Sequence, residues 1–363
     1  MDPNGGTTAA RLRTRRSSAA LLALVALVAL VALLALLAAL GSARAEAKSF
    51  QPPRGKVFTG TSDTGQTSDY AEFRELARAH PAILQSFEVW GLVPHEAIRR
   101  WDDVSARGML SLSTGKCWGC PAVINLSSIA NGKGDRYLLA LARALKKRSL
   151  PTYIRLFPEM NGFWNAYSAV NQDGTKRGSA NSTKSFRRAW QRTVLLVRGG
   201  KRAAIERKLH KLGMPKIKAK TQRRLPSPKV AFAWVPQASG TPNVPGNGPK
   251  AYFPGYDYID WVGADIYGQY ANFAGLTSLY NTYKKRPFMV PEWSPWNIDN
   301  PDFVSQLFNW IDSKERAKML VYYQDFGEGV DNEFELTDYP DSLKRLRKRL
   351  NTARYLPFAP GEK

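Results

Sequence analysis

The chain has 363 residues, of which 44% are hydrophobic and 23% charged, values that exclude a wholly disordered protein and allow one large domain or two average ones. Two cysteines cannot staple a fold of this size, and three histidines without a paired metal-ligand spacing argue against a zinc or iron centre, so we expect no metal and no cofactor. The net charge is +23, from 53 Lys and Arg against 30 Asp and Glu.

The first 45 residues have the composition of an export signal. Four arginines precede Leu21 to Leu40, twenty residues that are all Ala, Leu or Val, and residues 41–45 (GSARA) resemble a small-residue cleavage site. The apolar segment is also just long enough to span a bilayer, so it predicts either a cleaved signal peptide or an N-terminal membrane anchor. Both interpretations predict a secreted or extracytoplasmic protein.

Beyond a linker at residues 46–56, hydrophobic runs alternate with amphipathic segments. Near-continuous apolar runs are typical of parallel strands buried on both faces. Eight such strands alternating with helices predict an α/β fold, a (β/α)8 TIM barrel over residues 57–356. A doubly wound sheet has the same alternation, but no Gly-x-Gly-x-x-Gly follows the first strand. The runs that predict strands are Val57–Gly60, Ile83–Trp90, Met109–Thr114, Pro151–Glu159, Val230–Gln237, Tyr258–Tyr267, Pro287–Ser294 and Met319–Phe326.

Positive charge concentrates in an insertion near residues 198–229, which holds twelve Lys or Arg against Glu206 alone. Such a run is most often a solvated face, and weak attraction to acidic polymers of the cell envelope is the alternative. Because an exported protein rarely meets nucleic acid, we expect no nucleic-acid partner. Separately, we expect a monomer.

Two glutamates follow apolar runs at strand ends, where a barrel carries its catalytic residues. Glu159 ends the fourth predicted strand and Glu292 ends the seventh. Each alone could be an ion-pair partner, but two opposed carboxyls suit glycosidic-bond cleavage, in which one donates a proton and the other attacks the anomeric carbon. The candidate sugar contacts nearby are Arg155, Asn161, Trp164, Trp234, Tyr267, Trp293 and Trp296, although each aromatic ring could instead fill the core.

Three segments resemble glycoside hydrolase family 26, which contains β-mannanases and related β-glucanases. Residues 155–164 (RLFPEMNGFW) resemble its acid/base motif, and residues 286–293 (RPFMVPEW) resemble its nucleophile strand. Residues 252–267 look like its sixth-strand segment, and the resemblance covers most of residues 55–350.

The resemblance implies a retaining endo-β-glycanase that acts on a β-linked polysaccharide or oligosaccharide, with β-1,4-mannan as the first expected substrate. It implies Glu159 as acid/base and Glu292 as nucleophile, with Tyr267 hydrogen-bonded to the nucleophile and Trp164 beside the scissile bond. The chain has Pro158 where many members have His, and Gln237 where Asn is common, so mixed-linkage β-glucan, xylan and an unusual wall polymer stay open as substrates.

Two other functions compete with this interpretation. A non-catalytic glycan-binding barrel of the cell envelope would use the same aromatic residues, and a basic structural protein of the envelope would explain the charge alone. The pair Cys117 and Cys120 has the spacing of a redox motif, but an exported context favours a structural disulfide over free thiols or redox work.

Overall fold

The computed structural model describes most of the chain beyond the export segment. Within that segment, residues 27–31 are helical with exposed side chains, and the rest of the predicted signal or anchor lies outside the described residues. None of the helices in the described ranges has both the length and the apolar character needed to span a bilayer. The chain divides into residues 1–47 and 48–363. The described ranges are 27–31, 49–66, 68–117, 119–324 and 334–358.

Eight parallel strands close into a barrel, which confirms the predicted (β/α)8 fold. Each strand pairs with the next one in the chain, and the last pairs with the first through Met319 and Phe58, so the sheet has no free edge. The strands are β1 (Val57–Ser62), β2 (Ile83–Val89), β3 (Arg107–Ser113), β4 (Thr152–Leu156), β5 (Val230–Trp234), β6 (Trp261–Gly263), β7 (Phe288–Ser294) and β8 (Ala317–Tyr322).

Helices follow the strands, as the alternating pattern predicts. Asn300 caps the helix that opens at Pro301, where its side chain accepts a hydrogen bond from the Phe303 N–H. In the described ranges the α-helices are α1 (Ser68–Ala77), α2 (His95–Asp103), α3 (Leu126–Ala130), α4 (Asp135–Lys146), α5 (Thr183–Arg198), α6 (Arg202–Lys211), α7 (Pro249–Tyr252), α8 (Phe273–Thr282), α9 (Pro301–Ser313) and α10 (Pro340–Leu350).

The barrel interior changes from apolar to polar along the strands. Successive side chains of a strand point to opposite faces, so residues two apart share a face. On β2 and β4, Ile83 and Tyr153 belong to the apolar interior cluster, and two residues further along lie Gln85 and Arg155, both buried. Polar groups inside the barrel therefore collect toward its carboxyl end.

Residues just before β1 close the opposite end. The carbonyl of Ser49 accepts a hydrogen bond from Trp261 Nε1 at 2.7 Å, and the carbonyl of Phe50 accepts one from the Tyr153 hydroxyl at 2.6 Å. The ring of Phe50 packs against the interior cluster. This part of the predicted linker is therefore packed against the barrel, and the functional groups gather at the carboxyl end.

Candidate active site

Glu292 reaches the barrel interior because β7 is irregular. The pairing of β7 with β8 shifts register between Val290 and Trp293, a stretch that includes Pro291, which has no N–H to donate to the ladder. The shift places the carboxylate of Glu292 inward and the ring of Trp293 outward against the helices. The Glu292 side chain is 10% exposed.

Three donors from three other parts of the barrel surround the Glu292 carboxylate. Gln85 Nε2 of β2 donates to Oε1 at 3.3 Å, and the Arg155 guanidinium of β4 donates to the same oxygen. The Tyr267 hydroxyl donates to Oε2 at 2.8 Å. An ionised carboxylate is an acceptor only, so it satisfies all three donors at once.

Glu159 lies just beyond β4 on a turn with unusual backbone angles. Phe157 and Glu159 both have positive φ, at 45° and 48°, a conformation that costs a non-glycine residue about 1–3 kcal/mol and is often found at functional sites. The Glu159 N–H donates to the carbonyl of Val235 at 2.8 Å, and Asn165 Nδ2 donates to the Glu159 carbonyl at 2.9 Å. These hydrogen bonds fix the backbone conformation that directs the carboxyl of Glu159 toward the site.

Two side chains donate to the Glu159 carboxyl. Trp164 Nε1 lies 3.3 Å from Oε2, and Gln237 Nε2 lies 3.4 Å from Oε1. Trp164 folds closely over Gly162, where an added Cβ would meet the indole at 2.5 Å, so the ring needs a glycine there. Trp164 is partly exposed and directly contacts the Glu159 carboxyl.

Arg155 joins three carboxylates in one electrostatic unit. Its guanidinium, which is 1% exposed, donates to Glu292 and to Asp265, whose side chain is 2% exposed. Burial alone would lower the pKa of Arg155, but attraction to Asp265, Glu292 and Glu159 outweighs it and raises that pKa. Arg155 is therefore a permanent cation, and its guanidinium is used by Asp265 and Glu292. It is not the substrate contact that the sequence predicts.

The pKa of Glu159 is raised above its usual range. Loss of solvation is the largest cause, followed by the negative charge of Glu292; Arg155 and the donors Gln237 and Trp164 oppose the shift. The pKa of Asp265 is raised well above its usual range, again mainly by burial. Burial and the charge of Glu292 also raise the pKa of Tyr267, which keeps its hydroxyl protonated as a donor.

In the structure, Asn161 supports the loop after β5 and is not the substrate contact that the sequence predicts. Asn161 is fully buried, its Oδ1 accepts from the Gln237 N–H at 2.9 Å, and its Nδ2 donates to the carbonyls of Gln237 and Ser239 at 3.1 and 3.2 Å. All its side-chain groups are thus used by the loop after β5. Asn161 positions Gln237, which in turn contacts Glu159.

Trp234 and Trp293 are also corrected, because both are core residues. Trp234 has no exposed surface, and its ring lies 4.7 Å from that of Tyr283 in the layer between strands and helices. Its neighbour Ala233 faces the barrel interior, so alternation turns Trp234 outward. Trp293 is 2% exposed and its ring lies 5.0 Å from that of Tyr322.

A group of aromatic side chains adjoins Glu292 through Tyr267. The Tyr267 ring lies 5.1 Å from that of Trp296, which lies 5.3 Å from that of Tyr270. Tyr270 is 66% exposed, so it offers a ring face at the end of this group. We call this group the aromatic wall; its members are Phe87, Tyr267, Tyr270, Trp296, Tyr323 and Phe334.

The loop after β3 contacts the acid/base side of the site. Cys117 and Cys120 form a disulfide, and the N–H of Gly119 between them donates to the carbonyl of Trp164 at 3.2 Å. The disulfide thus belongs to a loop that braces Trp164. Within the described ranges, no group of three His, Cys, Asp or Glu side chains is arranged to hold a metal ion.

Asp265 and Gln237 are site residues that the sequence analysis did not select. Asp265 follows the apolar run of β6, the same signal that identified the two glutamates, so the sequence contained the means to find it. Gln237 ends the fifth predicted strand and differs from the Asn that is common in the family, but only the fold of the loop after β5 shows that its amide reaches Glu159.

Comparison with known proteins relates the chain to others through its fold. No family model and no curated protein matches the sequence. GH26A from a Muricauda species is 15% identical, with a TM-score of 0.54, over 87% of this chain and 95% of that one. A GH26 β-mannanase from Bacteroides ovatus is 16% identical, with a TM-score of 0.53, over 84% and 90% of the two chains.

A Cellulomonas fimi endo-β-1,4-mannanase is 14% identical, with a TM-score of 0.53, over 87% of this chain and 75% of that one. Similar solved structures are mostly GH26 mannanases. At these identities the likeness shows a shared (β/α)8 barrel, the fold that the resemblance to glycoside hydrolase family 26 implies.

Proposed function

We propose that this chain is a member of glycoside hydrolase family 26, a retaining endo-β-glycanase that hydrolyses a β-linked polysaccharide, with β-1,4-mannan as its substrate. The observation that carries the proposal is the contrast between two glutamates in one site. Glu292 accepts hydrogen bonds from three donors, whereas burial and the charge of Glu292 raise the pKa of Glu159. One carboxylate and one carboxylic acid are what double displacement requires.

In the first step, an oxygen of Glu292 attacks the anomeric carbon while Glu159 donates its proton to the glycosidic oxygen. The bond between the anomeric carbon and that oxygen breaks, the leaving chain departs as an alcohol, and the sugar is joined to Glu292 as an ester. Tyr267 and Arg155 hold Glu292 in place for attack, because each already donates to one of its oxygens.

In the second step, Glu159 is ionised and acts as a base. It takes a proton from water, whose oxygen attacks the anomeric carbon and displaces Glu292, so the configuration at that carbon is retained. Trp164 and Gln237 both donate to the Glu159 oxygens and therefore stabilise the ionised form needed here. The ester bond is broken and the site returns to its starting protonation state.

The aromatic wall supports a polysaccharide substrate. Exposed rings next to a catalytic carboxylate offer apolar faces on which sugar rings stack, and Tyr270 lies two ring contacts away from Tyr267. The solved structures described as mannanases support mannan as the substrate. Pro158 stands in the acid/base motif without a side-chain donor, so mixed-linkage β-glucan and xylan belong in any test.

We also propose that the protein acts outside the cytoplasm. The basic start, the apolar Leu21–Leu40 segment and the small residues before Glu46 support a cleaved signal. Mass spectrometry of the naturally expressed protein tests this, with a mature N-terminus at Glu46 as the expected result. Intact protein in the membrane fraction would indicate an N-terminal anchor instead.

The catalytic proposal is tested by incubating the purified protein with galactomannan, mixed-linkage β-glucan and xylan, and by following new reducing ends and product size. We expect medium-length oligosaccharides from one of the three, and mannan foremost. Glu292→Gln is the matched control, since it keeps the shape of the side chain and removes the nucleophile. Binding of these glycans without hydrolysis by the unsubstituted protein would favour the non-catalytic barrel.

A further inference from the structure

The positive charge of the domain is concentrated in about half of its length. Residues 104–256 contain 28 Lys and Arg against 4 Asp and Glu, whereas the rest of residues 46–363 contain 20 against 25. Beyond the first 45 residues, the excess of Lys and Arg over Asp and Glu therefore lies entirely in this range, which extends from just before β3 to just after α7. Such a separation creates a strong local field even when the remaining surface is close to neutral.

The four carboxylates of this region leave that charge uncompensated. Asp135 and Glu206 each pair with an arginine, the first in the buried interface between α4 and α5 and the second within α6. Glu159 lies in the site, and Asp173 is in the loop after β4, where it accepts hydrogen bonds from Thr175. The exposed cations of α4 and α6 therefore face solvent, and no Asp or Glu of residues 104–256 is left to neutralise them.

A buried ion pair fastens the basic insertion to the helices of the barrel. Arg192 of α5 donates to both oxygens of Asp135 in α4, at 2.7 and 2.6 Å, and to the carbonyl of Pro215 at 2.9 Å. The N–H of Lys218 donates to Asp135 at 2.8 Å. The segment after α6 is thus held along the start of α4, so cations distant in sequence share one surface.

Alternation along this segment presents its lysines to solvent. Lys216, Lys218 and Lys220 are exposed, while Ile217 between them is buried in the outer core. The neighbouring helices add exposed cations on their outer sides, three of them on α4. We call the exposed Lys and Arg of α4, α6 and residues 216–220 the basic face.

The chemistry of the basic face restricts its partner. The large hydrophobic side chains that are exposed in the described ranges lie elsewhere, at residues 27–31 and at Phe87, Leu92, Val123, Tyr270 and Ile298. Apart from the imidazole of His210 on α6, the basic face carries no exposed aromatic ring on which single-stranded bases stack, and it has no large apolar side chain that enters a bilayer. What it offers is a row of long, mobile cations, which suits an extended chain of spaced anionic groups.

We propose that the basic face binds an acidic polysaccharide, a glycan chain with repeated carboxylates, and holds the protein on a matrix that contains its neutral substrate. The choice of a polysaccharide over other polyanions rests on the proposed function, because an enzyme that cleaves one glycan works among others. The binding itself needs no catalysis, since the face lies on helices outside the barrel. Both surfaces can therefore be occupied at once.

The test measures binding of the full chain to polygalacturonate at about 0.15 M salt, with neutral galactomannan as the reference probe. The substituted protein is Lys216→Glu, Lys218→Glu and Lys220→Glu together. The matched control is Lys284→Glu, Lys344→Glu and Lys348→Glu, three exposed lysines outside residues 104–256 that change the net charge by the same amount. The circular dichroism spectrum and melting temperature of each variant check its folding, and hydrolysis of a short neutral oligosaccharide is a separate readout from binding.

We expect the substituted protein to bind polygalacturonate at least about tenfold more weakly, and the control to bind nearly as well as the unsubstituted chain. Equal losses in the two variants would overturn the proposal, because the binding would then follow net charge and not the basic face. So would tighter binding to vesicles of anionic lipid or to a short DNA duplex than to polygalacturonate at the same concentration of anionic groups. Absence of hydrolysis with intact, face-dependent binding would contradict the proposed function alone.

Discussion

The hydroxyl of Tyr267 donates a hydrogen bond to Glu292 Oε2 across 2.8 Å. The other oxygen of Glu292 accepts from Arg155, so the carboxylate is held at both ends. Tyr267 lies in the short strand that follows β6, and Glu292 lies within the irregular stretch of β7, so the contact depends on two local departures from regular strand geometry. It fixes the orientation of the carboxylate that the proposed mechanism needs as its nucleophile.

Removal of this bond should therefore impair catalysis more than folding. In Tyr267→Phe the carboxylate loses a charge-assisted donor worth about 1.5–3 kcal/mol. We expect kcat/KM to fall about ten- to hundredfold while the melting temperature falls by several degrees at most, so that the protein stays folded; steady-state kinetics and circular dichroism measure the two effects. Wild-type kinetics in this variant would mean that the contact has no part in turnover.

The hydrogen bond from Gln237 to Glu159 predicts a shift in pH dependence. This donor stabilises the ionised form of Glu159 and opposes the rise of its pKa, so its loss in Gln237→Leu should raise that pKa further. Because the first step needs protonated Glu159, activity falls as pH rises through this pKa. The alkaline limb of kcat/KM should therefore move to higher pH.

The control for this shift is Gln222→Leu, which changes an exposed glutamine on the basic insertion. Its pH profile should match that of the unsubstituted protein. An alkaline limb that moves to lower pH in Gln237→Leu would be incompatible with the assigned role of that donor.

Two tryptophans should separate stability from activity. Trp234→Ala removes a fully buried ring from the core and should lower the free energy of unfolding by about 3–5 kcal/mol. Trp164→Ala removes a partly exposed ring that donates to Glu159 and should reduce kcat/KM with a smaller loss of stability. Denaturant unfolding and kinetics on both variants check the pair, and a reversed pattern would contradict their placement.

The sequence predicts the barrel because its strands are apolar runs of the right length and spacing. The same property hides which side chains face inward, since parallel strands are buried on both faces and show no alternation of polar and apolar residues. Trp234 was for this reason a candidate for the site although it faces the helices. The orientation of Trp293 cannot be predicted for another reason, because the register shift near Pro291 changes which face of the sheet its side chain is on.

The two glutamates could be predicted because a carboxylate at the end of a buried strand stands out in the sequence. Asn161 could not be assigned in the same way, since its partners belong to the loop after β5 and are brought near only by folding. The sequence likewise does not show that the Arg155 guanidinium is occupied, because its partners Asp265 and Glu292 are brought near it only by folding. Pairings between distant segments are the information that one sequence lacks.

Glu159→Ala should affect substrates according to their leaving groups. A natural glycosidic oxygen needs protonation, so turnover of polysaccharide should fall by about 10²–10⁴-fold. An activated aryl glycoside departs with little help, so formation of the ester should be spared and added azide should capture the sugar with retained configuration. Equal impairment on every leaving group, with no azide product, would remove Glu159 from the acid/base role.

Trapping of the glycosyl-enzyme is the most direct measurement of the central claim, that Glu292 is the nucleophile of a retaining mechanism. A 2-deoxy-2-fluoro mannoside with an activated leaving group slows breakdown of the ester more than its formation, so the labelled protein accumulates. Mass spectrometry of the digested protein should then find one added sugar on the peptide that contains Glu292, and none in Glu292→Gln. Release of the leaving group with an inverted sugar product and no labelled peptide, or a label on another residue, would contradict the account.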